Sequence, residues 1–310
     1  MINITVLKPI ASAISRELFH SIILLLLLSF FVFFLLYNAP GEEVFQRYLE
    51  SHSELNSTDS HNLFYIYFIW LSACVTGNLG TSLINGLPVL DQVIENLGYS
   101  ISLILHALLI TVPFVILNIS MGFKNTLNPI STIISVILNI LAVVPIFWLS
   151  YVAIYISSTR FNYLPVGVSP DSLSYLEMLL PVSLLSIGSG VLIHITQHTK
   201  SELFRVLKED YVLYARAKGA KVYKHVIKEG IIFPLLHLMT HQVAYLFSTC
   251  IIIEQIFNWP GIGRLLWQAT QDRDIPLLLG AVLATAFIIR LTQFCSKIIY
   301  IILNPRASHE

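Results

Sequence analysis

Two histidine pairs offer the most direct metal chemistry in the chain: His194 with His198, and His237 with His241. An i,i+4 separation puts both imidazoles of a pair on one helix face, within reach of a single ion. No cysteine or carboxylate completes either pair, so they read as ordinary histidines bonded to backbone or phospholipid. The expectation is therefore no metal site and no cofactor. Cys74, Cys250 and Cys295 are far apart, odd in number and fit no disulfide or zinc spacing. They read as small apolar packing residues. The chain has no G-x-x-x-x-G-K-[ST] loop to cradle nucleotide phosphates, no H-E-x-x-H and no G-x-S-x-G elbow. With no catalytic set, the protein is not expected to be an enzyme, and any ATP it uses must be bound by another chain.

Three further positions carry chemistry of a different kind. Glu254 ends an apolar run, and a charged side chain at the centre of a bilayer costs about 2.5–3.5 kcal/mol unless paired or wet. Two readings stand for it: a gate or cation-attracting residue at an outer mouth, or a structural acid bonded to loop amides. Trp259 is either its neighbour at that mouth or a member of an interfacial aromatic belt. Arg290 lies near the middle of the last apolar segment, so it should face a bundle interior, a watery pathway or a partner. A cation there disfavours cationic cargo unless an acid neutralises it. Lys297 can snorkel toward the membrane surface.

The elements that must position these residues are membrane helices. Of 310 residues, 55% are hydrophobic and 12% charged, where a soluble domain carries about 25% charged residues. Mean hydropathy is +0.75 and the pI about 7.2, and the net charge is zero, which gives no electrostatic case for nucleic acid. A bilayer core about 30 Å thick needs roughly 20 apolar residues as a helix. Six segments meet that demand: Leu18–Tyr37, Ser100–Ser120, Ser131–Ser157, Leu176–Gln197, Ile231–Ile253 and Pro276–Leu303. The fold expected is all-α, a polytopic membrane protein with six transmembrane helices and lipid around it. The first segment follows Lys8 and Arg16 like a secretory signal, but its run is longer than an ordinary signal core and Tyr-Asn-Ala-Pro-Gly is a poor cleavage site, so it reads as a retained anchor. Residues 41–61 read as a solvated loop, with an Asn56-Ser57-Thr58 sequon read as chance. Phe64–Leu71 is aromatic and too short to span, so an interfacial helix is expected. The chain divides at about residue 98, into an anchor with an external segment (1–98) and a transmembrane domain (99–304).

Orientation follows from the cations. Lys8, Arg16, Lys124, Arg306 and eight cations between Lys200 and Lys228 fall on one side of six spans, against Arg47, Arg160, Arg264 and Arg273 on the other. Both termini are therefore expected in the cytoplasm. The cation-rich loop, 198–230, is the most informative stretch. Leu203, Leu207, Tyr211 and Tyr214 recur at helical steps, and Ala215, Ala217 and Gly219 put minimal side chains at its end, with Gly219 suited to a C-cap. On the residues alone, a solvated basic loop and a docking helix for another protein stand level.

This loop resembles the EAA loop of ATP-binding-cassette importer permeases, in the form found in the dipeptide, oligopeptide and nickel branch. Glu209-Asp210-Tyr211-Val212 and Ala215-Arg216-Ala217-Lys218-Gly219 carry the likeness. Further motifs of the branch follow in register: Pro40-Gly41-Glu42-Glu43, Asn78-Leu79-Gly80-Thr81-Ser82, Pro145-Ile146-Phe147-Trp148, Leu164-Pro165-Val166-Gly167, the run from Glu254 through Trp259 to Arg264, and Asn304-Pro305-Arg306. The chain departs from the pattern where Leu213-Tyr214-Ala215 stands for E-A-A, where Glu42-Glu43 replaces D-P, and where Lys297 takes the place of an acid. Pro234 also follows Gly219 by only fifteen residues. Ile84-Asn85-Gly86-Leu87-Pro88 with Asp91-Gln92-Val93 resembles Sap-type permeases, which are associated with antimicrobial-peptide uptake and putrescine export.

The resemblance implies a type I importer permease (MetI-like) fold in a bacterial inner membrane. It implies a second homologous permease subunit, two ATPase subunits and a periplasmic solute-binding protein. It also implies a coupling helix, carried here by Glu209, Asp210, Tyr211, Ala215, Ala217 and Gly219, that sits in a cleft of an ATPase. Pro234 would supply a kink at which tilt could localise. The expected function is permease for peptides or related small solutes, with Sap-type or nickel-type cargo as alternatives. The rival class is a self-sufficient ion-coupled transporter, which has no reason to carry the Ala215–Gly219 motif.

Overall fold

The computed structural model describes residues 4–38, 63–124, 129–164, 166, 175–219, 226–227 and 231–303. The Pro40–Glu43 motif, the loop at 41–61 with its sequon, and Asn304–Arg306 lie outside the described residues, as do Lys221, Lys224 and Lys228. Among the described residues the chain is helical, with one isolated antiparallel bridge between Thr81 and Pro88. The helices are α1 (Ile4–Tyr37), α2 (Leu63–Val75), α3 (Val89–Lys124), α4 (Pro129–Val143), α5 (Ile146–Phe161), α6 (Tyr175–Ile187), α7 (Val191–Leu207), α8 (Asp210–Ala217), α9 (Phe233–Phe257), α10 (Ile262–Gln271) and α11 (Ile275–Leu303). This is the architecture that hydrocarbon imposes, because a helix satisfies its own backbone polar groups.

Stretches of α1, α3 and α11 are each long and apolar enough to cross a bilayer. The expected third and fourth spans are each two helices, bent by 108° between α4 and α5 and by 45° between α6 and α7. The causes are local. Pro145 has no N–H to continue α4, and its carbonyl instead accepts from Trp148 N and Leu149 N at 3.0 and 3.1 Å to start α5. Between α6 and α7, Gly190 adopts φ +75, and Ser189 Oγ accepts from Val191 N at 3.3 Å. α9 has 25 residues, about 37 Å at 1.5 Å per residue, and completes a set consistent with six crossings. Pro234 sits in the first turn of α9, where its missing N–H has no helical partner to lose. Residues 231–232 form a π turn directly before α9.

The chain forms two compact units. The first comprises residues 1–10, 101–259 and 292–310. Here α9 packs on α5, α6 and α7, and α4 packs on α6 and α7. The two helix breaks nest together. A Cβ on Gly188 would lie 3.1 Å from Leu149 Cδ1, and one on Gly190 3.4 Å from Ala142 Cβ. Buried Thr111 and Ser186 join α3 to α6 with hydroxyls 2.7 Å apart, and Gln197 Nε2 donates to Asn139 Oδ1 at 3.0 Å between α7 and α4.

The second unit comprises residues 11–100 and 260–291. α2 extends beyond the expected Phe64–Leu71 and lies on α1. Ile66, Tyr67 and Trp70 are buried with Phe33 of α1 and with Ile275 and Leu279 of α11, and the Tyr67 hydroxyl lies 2.7 Å from Ser29 Oγ. α10 puts Ile262, Leu265 and Ala269 against Val89 and Val93 of α3 and Leu277 and Ala281 of α11. These are the i, i+3, i+7 positions of an amphipathic helix. At Gly280 a Cβ would lie 2.5 Å from Val89 Cγ1, so only glycine allows α11 its approach to α3.

Candidate functional site

The carboxyl-terminal half of the expected docking segment is a short helix held at its start by a tight turn. α7 runs through the expected fourth span as far as Leu207, with Leu203 and Val206 buried. It stops at Lys208, whose N–H donates to Arg205 O at 3.1 Å, while Glu209 N donates to Val206 O at 3.2 Å. Glu209 then accepts from Val212 N and Leu213 N at 3.0 and 3.2 Å, opening α8. Asp210 occupies the first turn of α8, where a carboxylate complements the helix dipole.

Val212 is fully buried and pins α8. Glu209, Asp210, Tyr211, Leu213 and Tyr214 are exposed, as are Ala217 and Gly219, while Ala215 is half-buried. Gly219 takes φ +75 just after the helix, with no atom within 4 Å of where a Cβ would stand. The constraint on that position is therefore conformation rather than space. Lys218 Nζ lies 4.4 Å from the centre of the Tyr214 ring. The arrangement is an exposed apolar and aromatic surface, with acids at one end and small residues at the other. The expected single amphipathic helix through Leu203 and Tyr214 is broken into two at Lys208 and Glu209.

Glu254 and Trp259 are brought together at the end of α9. Both are 0% exposed. Trp259 N donates to Glu254 O at 2.8 Å, and Asn258 turns the chain in a left-handed conformation. The Glu254 carboxylate accepts from the Cys250 thiol at 3.1 Å. Complete burial of Trp259 places it away from an interfacial aromatic belt. Arg290 belongs to the other unit, where its Nη2 donates to Ser21 Oγ of α1 at 3.1 Å. His194 and His198 are exposed on α7, and the side chains of His237 and His241 lie outside the description. Among the described residues no group of three or more His, Cys, Asp or Glu could hold a metal ion.

One buried acid escaped the sequence reading. Asp274 is 1% exposed and Ser82 is 3% exposed. Ser82 Oγ donates to Asp274 Oδ2 in a short bond, and Asp274 Oδ1 accepts from Leu83 N and Leu277 N, each at 3.3 Å. Ser82 Oγ in turn accepts from Ile84 N and Asn85 N at 3.3 and 3.2 Å. The Asn78–Ser82 motif therefore clamps its loop to the N-terminus of α11. The signal was present: an Asp two residues before Pro276 is a helix-start pattern.

Long apolar helices, two broken spans and a short exposed helix after the second of them define a polytopic membrane protein. Residues 114–309 match the family of binding-protein-dependent transport system inner membrane components, and the chain belongs to that family. It is 27% identical over 259 residues to the oligopeptide transport system permease protein AppB of Bacillus subtilis, covering 78% of this chain and 80% of the relative. It is 26% identical over 317 residues to a probable peptide ABC transporter permease protein of Sinorhizobium fredii, covering 94% of this chain and 98% of that protein. The protein is thus a multi-pass inner-membrane permease subunit.

Proposed function

We propose that this permease subunit passes peptides across the inner membrane, driven by ATP hydrolysed on separate subunits. The observation that carries the reading is α8. It is pinned by one buried residue and presents Glu209, Asp210, Tyr211, Ala215, Ala217 and Gly219 at the end of a bundle. Small residues let a partner approach the backbone, and the exposed Tyr211, Leu213 and Tyr214 fill a groove. The partner is an ATPase, and α8 is the coupling helix of the loop at 198–230. Its attachment to α7 carries ATPase closure into the bundle. Both termini face the cytoplasm, residues 99–304 form the transport domain, and residues 1–98 supply an anchor and an external segment.

A second homologous permease completes the pathway, with two ATPases below and a periplasmic solute-binding protein above. Peptide cargo is supported by the named activities of the two relatives. Glu254 and Trp259 shape the outer turn that closes α9, and Arg290 ties α11 to α1. Purification from native membranes tests the assembly. The chain should co-purify with a second permease and ATP-binding chains, and peptide uptake should stop when those chains are stripped. Full uptake with no ATPase bound or required would refute the reading.

A further inference from the structure

Exposure in a membrane bundle means contact with lipid, water or a partner, and the type of residue exposed tells these apart. From Ile22 to Leu35 of α1, every exposed residue is Leu, Ile or Phe. From Leu105 to Leu117 of α3, every exposed residue is Leu, Ile or Pro. Both are surfaces fit for hydrocarbon. α9 differs. Between Gln242 and Phe257 its exposed residues are Tyr245, Ser248, Ile252 and Gln255, a single stripe at i, i+3, i+7 and i+10. Only Ile252 is pure hydrocarbon; the Ser248 hydroxyl donates to Ala244 O at 3.1 Å, whereas lipid would offer the Tyr245 hydroxyl and the Gln255 amide no partner.

α5 packs directly on α9 and exposes Trp148, Tyr151 and Tyr155 at i, i+3 and i+7, with Tyr155 69% exposed, beside apolar Phe147, Ile156 and Phe161. Neither stripe carries a charge from Trp148 to Tyr155 or from Tyr245 to Gln255; Arg160 is exposed near the end of α5, and the side chains of His237 and His241, which continue the α9 register, lie outside the described residues. Close packing of a second membrane helix favours small residues, whereas the α5 stripe is Trp and Tyr throughout.

We propose that the exposed stripes of α5 and α9 form an uncharged, aromatic wall of the water-filled pathway, along which a peptide slides by its backbone amides and apolar side chains. Ring faces and hydroxyls suit amide groups and apolar side chains of any sequence, and the absence of fixed charge leaves acidic and basic peptides undiscriminated at this wall. The peptide part of the proposal rests on the transport reading above.

Single cysteines at Ser248, Tyr151 and Leu27, placed in the assembled transporter with Cys74, Cys250 and Cys295 replaced by alanine, test the wall directly. Water-soluble thiosulfonates react with the thiolate, which forms only where water reaches. Ser248→Cys and Tyr151→Cys should react readily, and Leu27→Cys should not. Cationic and anionic reagents should differ by no more than about threefold after correction for reagent, where one unpaired charge beside the thiol would split them more than about tenfold. Failure of both wall positions to label, or their cross-linking to a second permease instead, would overturn the proposal. Ser248→Asp should then shift uptake toward Ala-Lys-Ala over Ala-Glu-Ala by at least about tenfold on the same argument, and an unchanged ratio would also overturn it. If the wild-type transporter takes up neither tripeptide, the peptide reading falls, while labelling still decides the wall.

Discussion

Replacing Asp274 with alanine removes one carboxylate from three donors: Ser82 Oγ, Leu83 N and Leu277 N. The two backbone bonds are long, at 3.3 Å, so most of the cost comes from the hydroxyl and from the start of α11. A buried donor left without a partner costs about 1–3 kcal/mol, and loss of an Asp at a helix start costs about 1 kcal/mol. Water cannot substitute, because Ser82 and Asp274 are both buried. The sum is about 2–4 kcal/mol, and at roughly 2–4 °C per kcal/mol the midpoint should fall on the order of 5–10 °C. Thermal denaturation of the purified protein in detergent reads this out. Asp274→Asn keeps an acceptor for the two amides and should lose about half as much. Ser82→Ala takes one donor from the buried carboxylate and the acceptor from Ile84 N and Asn85 N, and should cost about 1–3 kcal/mol. A midpoint for Asp274→Ala within about 1 °C of wild type, or a larger loss for Ser82→Ala than for Asp274→Ala, would refute the clamp.

Gly280→Ala should destabilise by about 1–3 kcal/mol through overpacking, because the new methyl would stand 2.5 Å from Val89 Cγ1. Adding Val89→Ala should recover part of the loss in the same denaturation assay. Burial pushes the Cys74 thiol up to about 12, and its thiolate is the form that reacts. Its maleimide labelling should therefore rise about tenfold per pH unit up to the highest pH tolerated, and a plateau near pH 9 would contradict that environment.

The apolar runs made the membrane helices legible because hydrocarbon demands them, and the Ala215–Gly219 motif marked a helix end that φ +75 at Gly219 matches. The breaks were less legible. Pro145 and Gly188-Ser189-Gly190 were visible as breakers, but a hydropathy window averages across them. That the breaks nest depends on contacts such as Gly188 with Leu149, which no local pattern encodes. The Ser82–Asp274 bond joins residues 192 apart in sequence, so neither the motif that ends at Ser82 nor the helix start at Asp274 pointed to the other. Of the two readings of Trp259, mouth or interfacial belt, the type of residue favoured neither, and the turn at Asn258 folds the side chain inward.

The measurement that most directly tests coupling through α8 is peptide uptake per ATP hydrolysed in proteoliposomes for two substitutions at Gly219. Asparagine tolerates the left-handed conformation that valine resists, and among the described residues no atom lies within 4 Å of the Cβ that either would add. Gly219→Asn should keep uptake per ATP near wild type, while Gly219→Val should hydrolyse ATP with uptake reduced at least about tenfold, the factor that about 1.4 kcal/mol of left-handed strain provides. Equal, wild-type ratios for both variants would contradict coupling through α8.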